Sequence, residues 1–178
     1  GMIRIFLCDA TGHGVQAAMS TMQLDILHKE SITEQLPNKR IQFINNRFIT
    51  TCQSRHYFTA FCINIHKDSI LYAKAGHLDQ FLLSKKNNEI IRLTGIGRII
   101  GFTKDYAYEF RESSFETGDV VLLFTDGIFE NWYIEDDVSE ERLLLQFLRK
   151  ELKHGLLDHS SEEINKIIFT FVNKCQHN

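Results

Sequence analysis

Proline and tryptophan occur once each in the 178 residues, and there is no excess of basic charge. The single proline, Pro37, excludes a proline-rich linker or recognition tract, and no internal repeat or low-complexity stretch takes its place. Four cysteines (Cys8, Cys52, Cys62 and Cys175) form no Cys-x-x-Cys pair and lack zinc-finger spacing, and the eight histidines are scattered without ligand spacing. Cys8 and Cys62 lie inside apolar runs, where a free thiol behaves as a small hydrophobe, so a reducing, cytoplasmic setting is expected. A net charge of −3 argues against a nucleic-acid or anionic-membrane partner. No apolar run approaches the roughly 20 residues of a membrane span. No signal peptide precedes the first strand, and Gly1-Met2 reads as a tag remnant before a start methionine. What remains, 43% hydrophobic and 24% charged, suits one soluble globular domain with a proper core.

The chain is arranged around Cys8-Asp9-Ala10-Thr11-Gly12-His13-Gly14. Ile3, Ile5, Phe6, Leu7 and Cys8 read as a short buried strand, and Asp9 comes where it should end. From Val15 to about Lys29, the residues Val15, Ala18, Met19, Met22 and Ile26 recur as one helical face and are expected to be its inner face. Pro37 suits the first turn of a second helix carrying Ile41, Ile44, Phe48 and Ile49 inward. The pattern then changes to short strands at Tyr57–Ile65, Ile70–Ala75, Gln80–Leu83 and Glu89–Leu93, expected as an antiparallel meander. Thr94–Gly101 reads as a loop and Tyr106–Glu112 as a further strand. Val120–Phe124 is continuously apolar and is expected to be a central strand covered on both faces. Ser139 can cap a third helix with Leu144, Leu145 and Leu148 inside, and Ser160 with Glu163 forms a capping box before a fourth. Helices, strands, then helices again give an α+β class.

Asp9 and Asp126 share one setting: each follows an apolar strand and precedes a glycine-containing turn. The two strands are expected to be neighbours in one sheet, with both carboxylates facing one pocket; placed so, they would repel, a penalty that a hard divalent cation removes. The alternative is that both are ordinary strand-end turn residues, Asp9 capping the helix that follows.

The stretch Asp9-Ala10-Thr11-Gly12-His13-Gly14-Val15-Gln16-Ala17-Ala18 resembles the D-x-x-G-H-G-x-x-A-A motif of bacterial metal-dependent serine/threonine phosphatases of the SpoIIE/RsbU group, within the PPM family. Ala75-Gly76-His77 resembles that family's AGH segment, and Gly118-Asp119 through Thr125-Asp126-Gly127-Ile128 its GD-strand-TDG segment, all in register. The resemblance implies a four-layer α-β-β-α sandwich of two mostly antiparallel sheets flanked by helices. It also implies a site for two Mn²⁺ or Mg²⁺ ions, whose shared water attacks a phosphoserine or phosphothreonine in line. Carried over, Asp9 bridges the metals, the Ala10 carbonyl binds one and Asp126 the other. His13 either meets a metal-bound water or the substrate phosphate, or holds the turn, while His77 is mainly structural. The implied partner is a phosphoprotein, with an anti-sigma-factor antagonist the usual kind.

Three departures from that pattern matter. Only eight residues precede Asp9, where the family has an acidic residue on an earlier strand. The chain ends near its last helix, where the family continues into a strand opened by an Asp-Asp or Asn-Asp pair; Asp136-Asp137 has no strand after it and is no substitute. Gly76-His77-Leu78-Asp79 lacks the prolines usual there. The expectation is a domain over residues 1–178 lacking outer strands and a metal ligand, weakly active by itself, and prone to pair as a homodimer through exposed sheet edges. A truncated or degenerate fold serving as a non-catalytic binding module is the alternative.

Overall fold

Eight consecutive residues of β1 (Ile3–Ala10) pair antiparallel with β2 (Phe58–Ile65), from Ile3 opposite Ile65 to Ala10 opposite Phe58. A computed structural model describes residues 1–12, 14–51, 56–130, 132 and 139–176. These group into two compact units, Gly1–Asp79 with Leu93–Phe115, and Gln80–Arg92 with Glu116–Asn178.

In the first unit, β2 continues antiparallel to β3 (Ser69–Ala75) and β3 to β6 (Arg111–Ser114), giving the order β1-β2-β3-β6. The face of this sheet that carries Phe6, Cys8, Phe58, Ala60 and Cys62 is covered by α1 (Gly14–Glu30) and α2 (Pro37–Thr51). Pro37 opens α2 as expected, and Ile41, Ile44 and Phe48 are fully buried against Phe58 and Ala73. Each such side chain contributes about 1.5–3 kcal/mol by leaving water. Burial also pushes the Cys62 thiol up to about 11, the state of an inert core thiol.

α1 corrects the expected inner face. It buries Ala17, Ser20, Leu24 and Leu27, whereas Val15, Met19, Met22 and Ile26 are 77%, 59%, 69% and 55% exposed. The helix carries two apolar rows, and the leucine row meets α2 and the sheet. The strand expected over Tyr106–Glu112 begins only at Arg111. Before it, the Tyr108 carbonyl accepts from Asn38 Nδ2 at 3.0 Å and its hydroxyl donates to the Arg98 carbonyl at 2.9 Å, so this backbone is spent on loop contacts.

The second unit has a three-stranded sheet in the order β5-β4-β7, with β4 (Gln80–Ser84), β5 (Glu89–Leu93) and β7 (Val120–Leu122). The expected meander therefore divides: β2 and β3 belong to one sheet, β4 and β5 to another. β7 is short, half-buried and at the end of the sheet, not central; the central, fully buried strand is β4. α3 (Glu140–Lys153) is capped by Ser139, whose Oγ accepts from Arg142 N, and buries Leu144, Leu148 and Leu152. α4 (Ser161–Gln176) buries Ile164, Ile168 and Val172. Its capping box forms as expected, Ser160 N donating to Glu163 Oε2 at 2.9 Å and Glu163 N to Ser160 Oγ at 3.3 Å. The class is α+β, with two antiparallel sheets and four α-helices among the described residues. Among the described residues no helix is long and apolar enough to cross a membrane.

Candidate functional site

The first strand end is built by the backbone of β1 and β2. Asp9 is the penultimate residue of β1, half-buried, and stands opposite Thr59, so the two side chains share a sheet face. Thr59 Oγ1 is 2.7 Å from Nδ1 of His77, a ring only 5% exposed that follows the Ala60–Gly76 bridge. His77 thus braces the strand beside Asp9 through Thr59. Burial, then the Asp9 charge, push the neighbouring Cys8 thiol up.

Ala10 lies opposite Phe58, but Phe58 exchanges both its backbone bonds with Ile100, at 3.1 and 2.9 Å. Ala10 and Phe58 are therefore a non-hydrogen-bonded pair, and the Ala10 carbonyl is directed away from β2. Among the described residues no other strand pairs with β1. One residue later, Thr11 N donates to the Tyr57 carbonyl at 3.0 Å, while Tyr57 N donates to Thr11 Oγ1 at 3.1 Å. The threonine hydroxyl thus stands in for its own carbonyl, which approaches His56 Nδ1 at 3.3 Å. Gly12 and Gly14 follow with φ of +90° and +82°, a left-handed backbone that a side chain would strain, and this pair turns the chain from strand into helix. His13 lies outside the described residues, as do Cys52 and Asp136-Asp137.

The second strand end uses a device that sequence reasoning missed. After β7, Phe124 N donates to Gln80 Oε1 at 2.6 Å, and Gln80 Nε2 donates to the Phe124 carbonyl at 3.0 Å. Gln80 is fully buried. Its side-chain amide replaces a ladder partner beyond the Phe81–Leu122 pair and sets the backbone that leads into Thr125 and the 3-10 turn Asp126–Phe129. The only signal was a glutamine placed directly before an apolar strand. Asp126 opens the turn, exposed, and its carboxylate has no hydrogen bond or ion pair to any described residue. At the other end of β7, Asp119 is structural: its two oxygens accept from Lys85 N at 2.8 Å and Glu116 N at 2.9 Å. Beside the Asp126 turn a cleft of about 480 Å³ runs along Leu122–Ile128 and α4.

The expectation that the strands ending at Asp9 and Asp126 are neighbours in one sheet is corrected: β1 pairs with β2 in one sheet, β7 with β4 in the other. Each strand end taken by itself offers hard oxygens, a carboxylate and a released carbonyl at Asp9-Ala10 and a carboxylate at Asp126, of the kind that suits Mg²⁺ or Mn²⁺. Among the described residues no three His, Cys, Asp or Glu side chains converge as a ready metal cluster.

Known proteins resemble this chain in sequence and in fold. The family profile of Stage II sporulation protein E (SpoIIE) matches residues 1–175. Phosphoserine phosphatase RsbU of Bacillus subtilis (strain 168) is 30% identical over 134 residues, covering 72% of this chain and 39% of that protein. RsbP of the same organism is 27% identical over 133 residues, covering 71% and 33%. The chain thus spans well under half the length of these curated relatives. Among solved structures, the SiaA-PP2C domain of Pseudomonas aeruginosa superposes with a TM-score of 0.77 at 17% identity, over 99% of this chain and 74% of that one. The PP2C phosphatase domain of SpoIIE from Bacillus subtilis gives 0.72 at 17% identity, over 99% and 50%. The chain belongs to the SpoIIE family, within the SpoIIE/RsbU-type branch of the PPM phosphatases.

Proposed function

We propose that residues 1–178 act as one phosphatase-like domain that hydrolyses phosphoserine or phosphothreonine on a regulatory protein of a sigma-factor pathway, an anti-sigma-factor antagonist being the favoured kind. Asp9, the Ala10 carbonyl and Asp126 would hold the divalent cations, Mn²⁺ or Mg²⁺. Membership of the SpoIIE family supports this, as do relatives named as phosphoserine phosphatases. The observation that carries it is the release of the Ala10 carbonyl from the β1–β2 ladder, one residue after Asp9.

In this reading Asp9 and Asp126 supply the negative charge that concentrates cations. The Thr59–His77 contact and the Thr11 hydroxyl hold the backbone of the first donor pair. Gln80 holds the backbone ahead of the second. Cations bound there would lower the pKa of water and neutralise charge gathering on the phosphoryl oxygens. His13 either contacts the substrate phosphate or braces the Gly12–Gly14 turn. Cytoplasmic location and homodimerisation through the edges of β1 and β7 belong to the same proposal; sedimentation at tens of micromolar showing only monomer would remove the dimer.

The test is phosphate release from a phosphoserine peptide in Mn²⁺, with and without EDTA, for the full chain and for Asp126→Asn. Mn²⁺-dependent turnover that falls at least a hundredfold in the variant supports the proposal. Turnover that survives EDTA, or an Asp126→Asn protein as active as the parent, overturns it.

A further inference from the structure

The second unit carries a groove that the phosphatase reading leaves unused. A cavity of about 670 Å³ runs between α3 and α4, with its lining spanning Leu143 to Glu151 on one helix and Lys166 to Lys174 on the other. Each stretch is eight residue steps, about 12 Å of helix at 1.5 Å per residue. The inward rows of both helices, Leu144, Leu148, Ile164, Ile168 and Val172, are already buried. The groove floor is a second apolar row. Phe147 and Phe171 stack with centroids 4.0 Å apart and planes at 5°, Ile167 lies beside them, and all three are only half-buried.

The rim is predominantly basic. Lys150, Lys166 and Lys174 border the groove, against a single carboxylate, Glu151. Lys166 meets Glu162 at 3.1 Å in an exposed pair, which contributes little. Lys150 and Lys174 have no ion pair among the described residues. In a chain with net charge −3, three ammonium groups around an apolar floor are a local reversal.

We propose that the α3–α4 groove docks an acidic amphipathic helix of a partner protein. A channel between two helices accepts the side-chain ridge of a third, read as apolar anchors at i, i+3 or i+4, and i+7. About two turns match the length of the lining, with the anchors on Phe147, Ile167 and Phe171. Carboxylates flanking that row would face Lys150 and Lys174, adding to on-rate and register. The proposal rests on groove shape and charge alone and stands or falls apart from the phosphatase reading.

The test is selection of a displayed library of random 16-residue, tryptophan-free peptides against the full chain, followed by titration of the enriched peptides. Trp132, the sole tryptophan, packs 5.6 Å from Phe171 and reports occupancy by its fluorescence. The proposal expects enriched peptides to be net acidic with helical apolar spacing, to bind K150E/K174E at least tenfold more weakly, and to bind K39E/K67E within twofold of the parent. K150Q/K174Q, with an unchanged urea midpoint, should show the same direction and so separates docking from a folding defect. Neutral or basic winners, binding within twofold in both Lys150/Lys174 variants, or no groove-dependent binder at all would overturn it. So would capture by phosphatidylserine vesicles that outcompetes the peptides, which would make the surface a membrane one.

Discussion

Replacing Gln80 with leucine isolates the energetics of the second strand end. Gln80 is fully buried and satisfies both backbone groups of Phe124, accepting from its N–H at 2.6 Å and donating to its carbonyl at 3.0 Å. Leucine is close in volume and apolar, so repacking terms stay below about 1.5 kcal/mol. The loss is that of two desolvated peptide groups left without the amide, about 1–3 kcal/mol each and about 2–6 kcal/mol together. Against a whole-domain stability of about 5–15 kcal/mol, that is a large fraction. With a urea slope of about 2 kcal/mol/M, the unfolding midpoint should fall by about 1–3 M. Trp132 lies in the same unit, edge-on to Phe129 of the Asp126 turn with centroids 5.2 Å apart, so its fluorescence follows the relevant structure. Gln146→Leu, on the exposed side of α3, serves as control and should stay within about 0.5 kcal/mol. A shift below about 0.3 M in Gln80→Leu would refute the claim that this amide holds Phe124 and the backbone leading to Asp126.

Three further outcomes are expected. On α1, Leu24→Ala should cost about 2–5 kcal/mol and Met22→Ala no more than about 0.5 kcal/mol in urea unfolding, because Leu24 is 2% and Met22 69% exposed; the reverse order would restore the Met22 row as the inner face. Ser160→Ala should lower stability by about 1 kcal/mol through loss of the α4 capping box, checked by thermal unfolding. Burial, then the Arg40 guanidinium, hold His28 below the ordinary imidazole range, so the unfolded chain binds a proton that the folded chain resists. Its contribution is therefore complete above about pH 6.5 and is lost as pH falls from there through the folded value; His28→Phe, which keeps a ring against Phe6, should flatten that part of the midpoint-versus-pH curve.

The starts of β1, α1 and α2 were legible because strand and helix periodicity, Pro37 and the Gly12–Gly14 turn are local signals. So were the caps at Ser139 and Ser160, and the three motifs that point to the family. The buried face of α1 was not legible: Val15, Met19, Met22 and Ile26 form as regular a row as Ala17, Leu24 and Leu27, and only the packing partner decides between them. The place of Val120–Phe124 was misread for a related reason. Continuous apolarity signals burial, yet Phe124 is satisfied by the Gln80 side chain and its strand ends the ladder at Leu122. A side chain that substitutes for backbone, as Gln80 and Thr11 both do, has no period and leaves little trace in a sequence. The assignment of Asp9 and Asp126 to one sheet failed because a shared local setting says nothing about which strands pair.

The central claim is that Asp9 and Asp126 are cation ligands and not ordinary turn residues. Electron paramagnetic resonance of free Mn²⁺, titrated against the full chain, Asp9→Asn and Asp126→Asn, tests it most directly, with circular dichroism confirming that each variant is folded. The account predicts saturable Mn²⁺ binding by the parent and at least tenfold weaker binding in each variant. Folded variants that bind Mn²⁺ as tightly as the parent would contradict it.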